Sequence, residues 1–232
     1  MKGRTGTLYV VATPIGNLED ITARAIRVLR ETPVLACEDT RHTGIMLKRL
    51  GILHGDRRFV AYYDANEARQ TQGLLEILLH GEDVALVTNA GTPLVSDPGY
   101  RLVAAAREAG VKVVPVPGPC AAIAALSVCG LPSERFAFYG FLPQKPGKRR
   151  KVLEAALAPD AGTAIFYVPA RLILKVLQEM GEVCPLARVF IAREMTKVYE
   201  EFITGTPAEC CQVLGSRTLK GEVTVVASPR AG

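Results

Sequence analysis

Three junctions in this 232-residue chain concentrate glycine and proline where a strand-like run gives way to a helix-like one. They are Thr13-Pro14-Ile15-Gly16-Asn17, Asn89-Ala90-Gly91-Thr92-Pro93 and Pro117-Gly118-Pro119-Cys120. Glycine lets a backbone come close to a ligand, and proline holds a loop in one shape. A single junction of this kind reads as a tight turn. Three in the same topological position point to a ligand held mainly by backbone groups, in the crevice above a sheet. The middle junction belongs to the longest such stretch. A buried strand from Val84 to Thr88 turns at Gly91-Thr92-Pro93, turns again at Asp97-Pro98-Gly99, and runs straight into a helix.

A second cluster suits a different partner. Lys145-Pro-Gly-Lys148-Arg149-Arg150-Lys151 packs five basic residues into seven, beside Phe136, Phe138, Tyr139 and Phe141. A flexible basic loop next to aromatic rings suits phosphate contact and base stacking on RNA. Positive charge at a helix start opposes the helix dipole, so fold stability offers no reason for it. The net charge of +5 agrees with an anionic partner but is too small to identify one.

Other chemistries lack their residues. No G-x-G-x-x-G follows a strand, no G-x-S-x-G elbow occurs, and the Gly140–Gly147 stretch has the wrong spacing for a phosphate loop. With only His42, His54 and His80, a histidine triad or cluster is not supported. Cys37, Cys120, Cys129, Cys184, Cys210 and Cys211 show no metal-ligand spacing and read as small core residues, so no metal is expected. No apolar run approaches the ~20 residues that span a bilayer, and Met1–Gly6 leads into a strand-like run without the apolar region expected of a signal peptide. A cytoplasmic protein without a membrane partner is expected.

The elements that must position these groups alternate. Strands are expected at 7–12, 34–37, 59–62, 84–88 and 111–116, with helices between them; Asp20 is placed to cap the first helix. This strict alternation predicts a mostly parallel sheet. A second series of strands and helices follows Pro117-Gly118-Pro119. The fold class expected is therefore α/β, with an N-terminal domain over 1–116 and a C-terminal domain over 117–232.

Several of these stretches closely resemble the small-subunit ribosomal RNA methyltransferase I family, of the tetrapyrrole methylase-like superfamily. They are Thr7–Asp20, Glu38-Asp-Thr-Arg-His42, Asn89–Gly99, Pro115–Ala124 and Gly130–Phe136 running into Tyr139–Pro143. The resemblance covers essentially the whole chain. It implies two α/β domains of the tetrapyrrole methylase type, usually in a homodimer, with S-adenosylmethionine in an interdomain cleft. It further implies 2′-O-methylation of a cytidine ribose in the decoding region of small-subunit rRNA, as naked RNA or assembled small ribosomal subunit. Carried onto this chain, cofactor contacts fall at Pro14, Asn89, Gly91, Thr92, Pro93, Leu94, Val95, Ser96, Pro119, Cys120, Tyr167, Val168 and Ala227. RNA contacts at Lys145, Lys148, Arg149, Arg150 and Lys151 are expected independently, from the basic run itself. The chain departs from the family at Tyr63 and Ala65, where relatives often carry histidines, and at Asn89, where aspartate is common.

Methyl transfer to a hydroxyl is an in-line displacement helped by a base that takes the hydroxyl proton. Glu38, Asp39, Asp97 and Glu194 are the candidates, with Arg41 or Arg193 orienting phosphate or ribose. Each carboxylate has an alternative as a helix cap or surface acid. Two other readings stay open: methylation of a tetrapyrrole or other small molecule on the same scaffold, and a non-catalytic RNA-binding ribosomal factor. The basic run argues against the first, and the three glycine-proline junctions against the second.

Overall fold

A computed structural model describes residues 4–53 and 55–229 of the chain. It forms two compact units, Met1–Cys120 and Ala121–Gly232. His54 lies outside the described residues.

Unit 1 is a five-stranded sheet in the order β3-β2-β4-β1-β5, built from β1 (Thr7–Val11), β2 (Val34–Cys37), β3 (Arg58–Ala61), β4 (Val84–Val87) and β5 (Lys112–Val116). All pairings are parallel, as the alternation predicts. Strands β2 and β4 are buried at every position, because helices cover both faces. Their side chains divide by the period of two. Leu35, Cys37, Ala85 and Val87 face α1 (Ala23–Glu31) and α2 (Thr40–Arg49), packing on Val28, Leu29, Met46 and Leu47. Val34, Ala36, Val84 and Leu86 face α3 (Glu67–Leu79) and α4 (Tyr100–Glu108), packing on Leu74, Leu78, Leu102 and Ala106. Pro115 is tolerated because β5 is an edge strand. Thr22, not Asp20, caps α1: its Oγ1 accepts from the Ala25 N–H at 3.0 Å, and Asp20 closes a separate 3-10 turn.

Unit 2 holds α5 (Ala121–Val128), β6 (Phe136–Phe141), α6 (Pro146–Ala156), β7 (Thr163–Pro169), α7 (Ile173–Val183), β8 (Arg188–Arg193), β9 (Glu201–Gly205), α8 (Pro207–Leu214) and β10 (Glu222–Ser228). Its sheet order is β6-β7-β10-β8-β9. Only β6 and β7 pair in parallel; β10 runs antiparallel to β7 and β8, and β8 to β9. The second series is thus a mixed sheet. Its cause is the β8–β9 connection, too short for a helical crossover. One face packs on α6, α7 and α8 through Phe166, Ile191, Val225, Leu153, Leu177 and Leu214, and α5 lies on β7 and β10. No helix among the described residues is long and apolar enough to cross a membrane.

The basic run is not a loop. It forms the first turns of α6, and Arg149 is its surprise. The Arg149 guanidinium is fully buried, with Nε and Nη2 each 2.6 Å from a carboxylate oxygen of Glu179. Its Nη1 donates to the carbonyls of Pro143 and Gln144 at 3.0 and 2.9 Å. Arg149 therefore fastens α6 to α7 and is not available to RNA. Fold stability does explain one cation of this run. Arg150 is exposed but paired with Glu154 and Glu182, whereas Lys145, Lys148 and Lys151 are exposed at the helix start.

Candidate active site

Strands β1 and β4 are neighbours, yet their chains leave toward opposite faces of the sheet. After β1 the chain enters α1 on one face; after β4 it enters α4 on the other. A crevice opens at such a switch point, at the carboxyl ends of the strands. Two of the three glycine-proline junctions meet there. Thr13 and Gly91 form an antiparallel bridge, N–H to O at 2.8 Å one way and 3.0 Å the other. The Thr13 hydroxyl donates to the Thr88 carbonyl at 3.1 Å. The third junction joins them: the Thr92 hydroxyl donates to the Pro119 carbonyl at 2.9 Å. Pro14 is buried beside this bridge, and Pro119 and Cys120 are half-buried. Gly118 is required by close approach, since a Cβ there would stand 2.9 Å from the Ala12 Cβ.

Beyond Gly91 the backbone is strained. Leu94 and Ser96 have φ of 71° and 67°, the left-handed region that non-glycine residues rarely occupy. Gly91 at 84° and Gly99 at 141° complete a stretch with four left-handed residues in nine. Such a path turns successive N–H and C=O groups away from regular pairing and leaves them for a ligand. At its base sits an orphan: Asn89 Oδ1 is buried without a hydrogen-bond partner. Its backbone N–H donates to Glu38 Oε2 at 3.2 Å, which ties the β2 end to the β4 end.

The site's charge is unusual. Burial, then the nearby Glu38 carboxylate, push Asp97 up to about 6, and Asp64 adds to the rise. The Thr88 hydroxyl opposes this rise without overcoming it. None of the groups that shift Asp97 is a cation. A carboxyl that loses its proton near pH 6 is a serviceable general base at neutral pH.

The other carboxylates have structural duties. Asp39 caps α2, accepting from the N–H groups of His42 and Arg41 at 3.0 and 2.8 Å, which hold it below the usual carboxylate range. Arg41 is exposed on the same first turn. Glu194, in unit 2, is no base either. Burial alone would raise it, but the Glu222 N–H at 2.9 Å and Lys197 Nζ at 3.0 Å outweigh that and lower it. Arg193 is bound to Glu201 at 2.9 Å.

Val168 and Ala227 are core residues of unit 2, with side chains packed among Phe166, Val189 and Val225, so neither offers a side chain to a ligand. Tyr167 is half-buried, with Phe138 and Phe141 edge-on to its ring at 4.9 and 5.4 Å. Phe136, Tyr139 and Phe141 of the edge strand β6 are exposed. All six cysteines are free, and burial pushes Cys37 and Cys210 up to about 11, so neither provides a thiolate nucleophile. Among the described residues no cluster of three or more His, Cys, Asp or Glu could hold a metal.

Two residues escape sequence reasoning. Thr88 lies beside Asp97, and Glu67 reaches the start of α4 from α3. A signal for Glu67 exists: α4 begins at a glycine and has no acid in its first turn, so its cap has to come from elsewhere.

Comparison with known proteins agrees with this architecture. The profile of the tetrapyrrole (corrin/porphyrin) methylases matches residues 7–210. Ribosomal RNA small subunit methyltransferase I of Escherichia coli O157:H7 is 50% identical over 203 residues, spanning 87% of this chain and 69% of that protein. The protein of the same name from Pasteurella multocida (strain Pm70) is 44% identical over 230 residues, spanning 97% and 80%. Among solved structures, the methyltransferase CobJ superposes with a TM-score of 0.71 at 20% identity, covering 98% of both chains. Uroporphyrin-III C-methyltransferase from Thermus thermophilus, complexed with S-adenosyl homocysteine, gives 0.65 at 19% identity, covering 96% and 97%. At that identity the two structures speak for the fold alone. Profile and relatives together place the chain in the tetrapyrrole methylase family, within its ribosomal RNA small subunit methyltransferase I branch.

Proposed function

We propose that this protein transfers a methyl group from S-adenosylmethionine to the ribose 2′-hydroxyl of a cytidine in the decoding region of small-subunit rRNA. The carrying observation is Asp97, a half-buried carboxyl raised by burial and by Glu38, at the edge of a strained, backbone-lined crevice. The crevice fits the cofactor by its own chemistry. Asn89 Oδ1 is an unused acceptor, Gly91 has no side chain to block a close approach, and Leu94 and Ser96 turn their backbone out of the regular path. Pro14, Thr92, Pro93, Pro119 and Cys120 frame it, and Tyr167 is the unit 2 residue left with an accessible side chain among those the resemblance implies. When bound, the cofactor supplies an electrophilic methyl group on a sulfonium.

The chain's own residues do the rest. A neutral ribose hydroxyl is a poor nucleophile, and an Asp97 carboxylate can take its proton as it attacks. Glu38 raises the basicity of Asp97 and holds the Asn89 backbone. Lys145, Lys148 and Lys151 supply phosphate contacts for RNA, and the exposed rings of Phe136, Tyr139 and Phe141, just before them in the chain, supply stacking surfaces. Membership of this family also supports action as a cytoplasmic homodimer.

The test uses labelled S-adenosylmethionine and small ribosomal subunits from a strain lacking the enzyme, with the label mapped by nuclease digestion. Label on a cytidine 2′-oxygen is expected. Label on a base, or none on RNA with transfer to a tetrapyrrole, would overturn the proposal. Replacing Lys145, Lys148 and Lys151 by Ala should reduce the salt slope of RNA binding by about 2, at about 0.7 per phosphate contact. S-adenosylhomocysteine affinity should be unchanged in that variant; loss of both together would make the lysines structural.

A further inference from the structure

The Gly91–Gly99 loop is fastened at its two ends by different means. At the Gly91 end, paired backbone bonds tie it to Thr13. At the Gly99 end, one side chain from another helix does the work. Glu67 Oε1 accepts from the Gly99 N–H at 3.0 Å and the Arg101 N–H at 3.1 Å. The same oxygen accepts from the Tyr62 hydroxyl at 3.1 Å, and Oε2 lies 3.8 Å from Arg101 Nε.

Helix α4 has no cap of its own, so its free N–H groups and positive dipole end are met by this carboxylate from α3. Glu67 is itself well anchored. Tyr62 is fully buried, and the Asn66 side chain braces the turn before α3 by donating to the Ala61 carbonyl and accepting from the Tyr63 N–H. Strained conformations such as those of Leu94 and Ser96 persist only when their surroundings over-determine them. Glu67 supplies that constraint on the Asp97 side.

We infer that Glu67 is a positioning residue for the crevice: it holds the Gly99 end of the loop, and so keeps Leu94–Asp97 in the conformation that binds the cofactor. This rests on the loop being the cofactor site. The requirement is for an acceptor oxygen at the right reach, so Gln should serve and Asp, one methylene shorter, should not.

The experiment is calorimetric titration of S-adenosylhomocysteine into wild type, Glu67→Gln, Glu67→Asp and Glu67→Ala, with thermal melts and amide exchange on each. Glu67→Gln should bind within about threefold of wild type, and Glu67→Asp and Glu67→Ala about tenfold or more weakly, as for two amides losing their acceptor. The Gly99 and Arg101 amides should exchange faster in the last two variants, with unit 2 unchanged. Should Glu67→Ala not fold, Glu67→Asp against Glu67→Gln decides. Wild-type affinity in Glu67→Asp, or a Glu67→Gln as weak as Glu67→Asp, would overturn the inference. A wild-type protein that does not bind S-adenosylhomocysteine would instead overturn the cofactor reading, and this inference with it.

Discussion

Each unit carries a strained loop at the end of a strand, and the two are nearly matched in backbone. In unit 1, Leu94 and Ser96 are left-handed; in unit 2, Glu194 and Thr196 are, at φ of 49° and 68°. Each loop also buries a threonine hydroxyl without a partner, Thr88 in one and Thr196 in the other. Charge separates them. In unit 2 the carboxylates have cations: Glu194 and Glu222 share Lys197, and Glu201 sits between Arg193 and Arg217. The guanidiniums of Arg217 and Arg193 hold Glu201 down to about 2, whereas in unit 1 burial and Glu38 push Asp97 up to about 6. Backbone strain alone therefore does not mark a site. In the function proposed above, the mark is strain around an acid without a cation and an orphaned amide oxygen, and the saturated loop is architecture.

That contrast can be broken. The largest expected effect is on chemistry. Asp97→Asn should lower methyl transfer by about 10²–10⁴-fold, the usual worth of a general base, with S-adenosylhomocysteine affinity nearly intact. A single-turnover assay checks it, and Glu194→Gln should stay within about threefold of wild type in the same assay, since its carboxylate is occupied by Lys197 and the Glu222 N–H.

Next come two glycines, Gly99 at the end of the first loop and Gly221 packed against Glu194 of the second. A Cβ on Gly99 would stand 2.7 Å from Leu94 Cδ1 and 2.9 Å from Leu86 Cδ2, at a φ of 141°. A Cβ on Gly221 would stand 2.4 Å from Glu194 Oε1, at a φ of 96°. Each change to Ala should cost about 2–4 kcal/mol in denaturant melts, through strain and crowding. Only Gly99→Ala should also abolish S-adenosylhomocysteine binding. Smaller still is Glu201→Gln. The folded pKa of Glu201 lies below the unfolded one, so its stabilisation is present above about 4.5 and lost as pH falls toward about 2. A loss of about 1 kcal/mol is expected at pH 7 and none near pH 2.

Much of this was legible in the chain. The five strands of unit 1 announce a parallel α/β sheet, and the glycine-proline junctions do meet at the ends of its strands, because side-chain period and turn chemistry are local. What was hidden depends on distant partners. Arg149 reads as one more surface cation until Glu179, on the next helix, is seen to bury it. Glu67 reads as an ordinary helix start until its oxygen is found on amides of α4. Leu94 and Ser96 give no local hint of a left-handed backbone. Asp39 and Asp97 look alike as acids near strand ends; only the His42 and Arg41 amides on one, and burial and Glu38 beside the other, set their environments apart.

The most direct measurement is the stability of Asp97→Asn against wild type at pH 4 and pH 7.5. The folded protein holds this proton to about 6, the unfolded chain only to about 3.8, so the folded state binds more protons between those values. Wild-type stability therefore falls as pH rises through that window and is flat above it. Asp97→Asn should be more stable than wild type by about 1–2 kcal/mol at pH 7.5, the full shift being discounted for partial solvent exposure, and nearly equal to it at pH 4. An Asp97→Asn protein that is less stable than wild type at pH 7.5, as loss of a paired carboxylate would make it, would contradict the reading of Asp97 as an acid kept unpaired for chemistry.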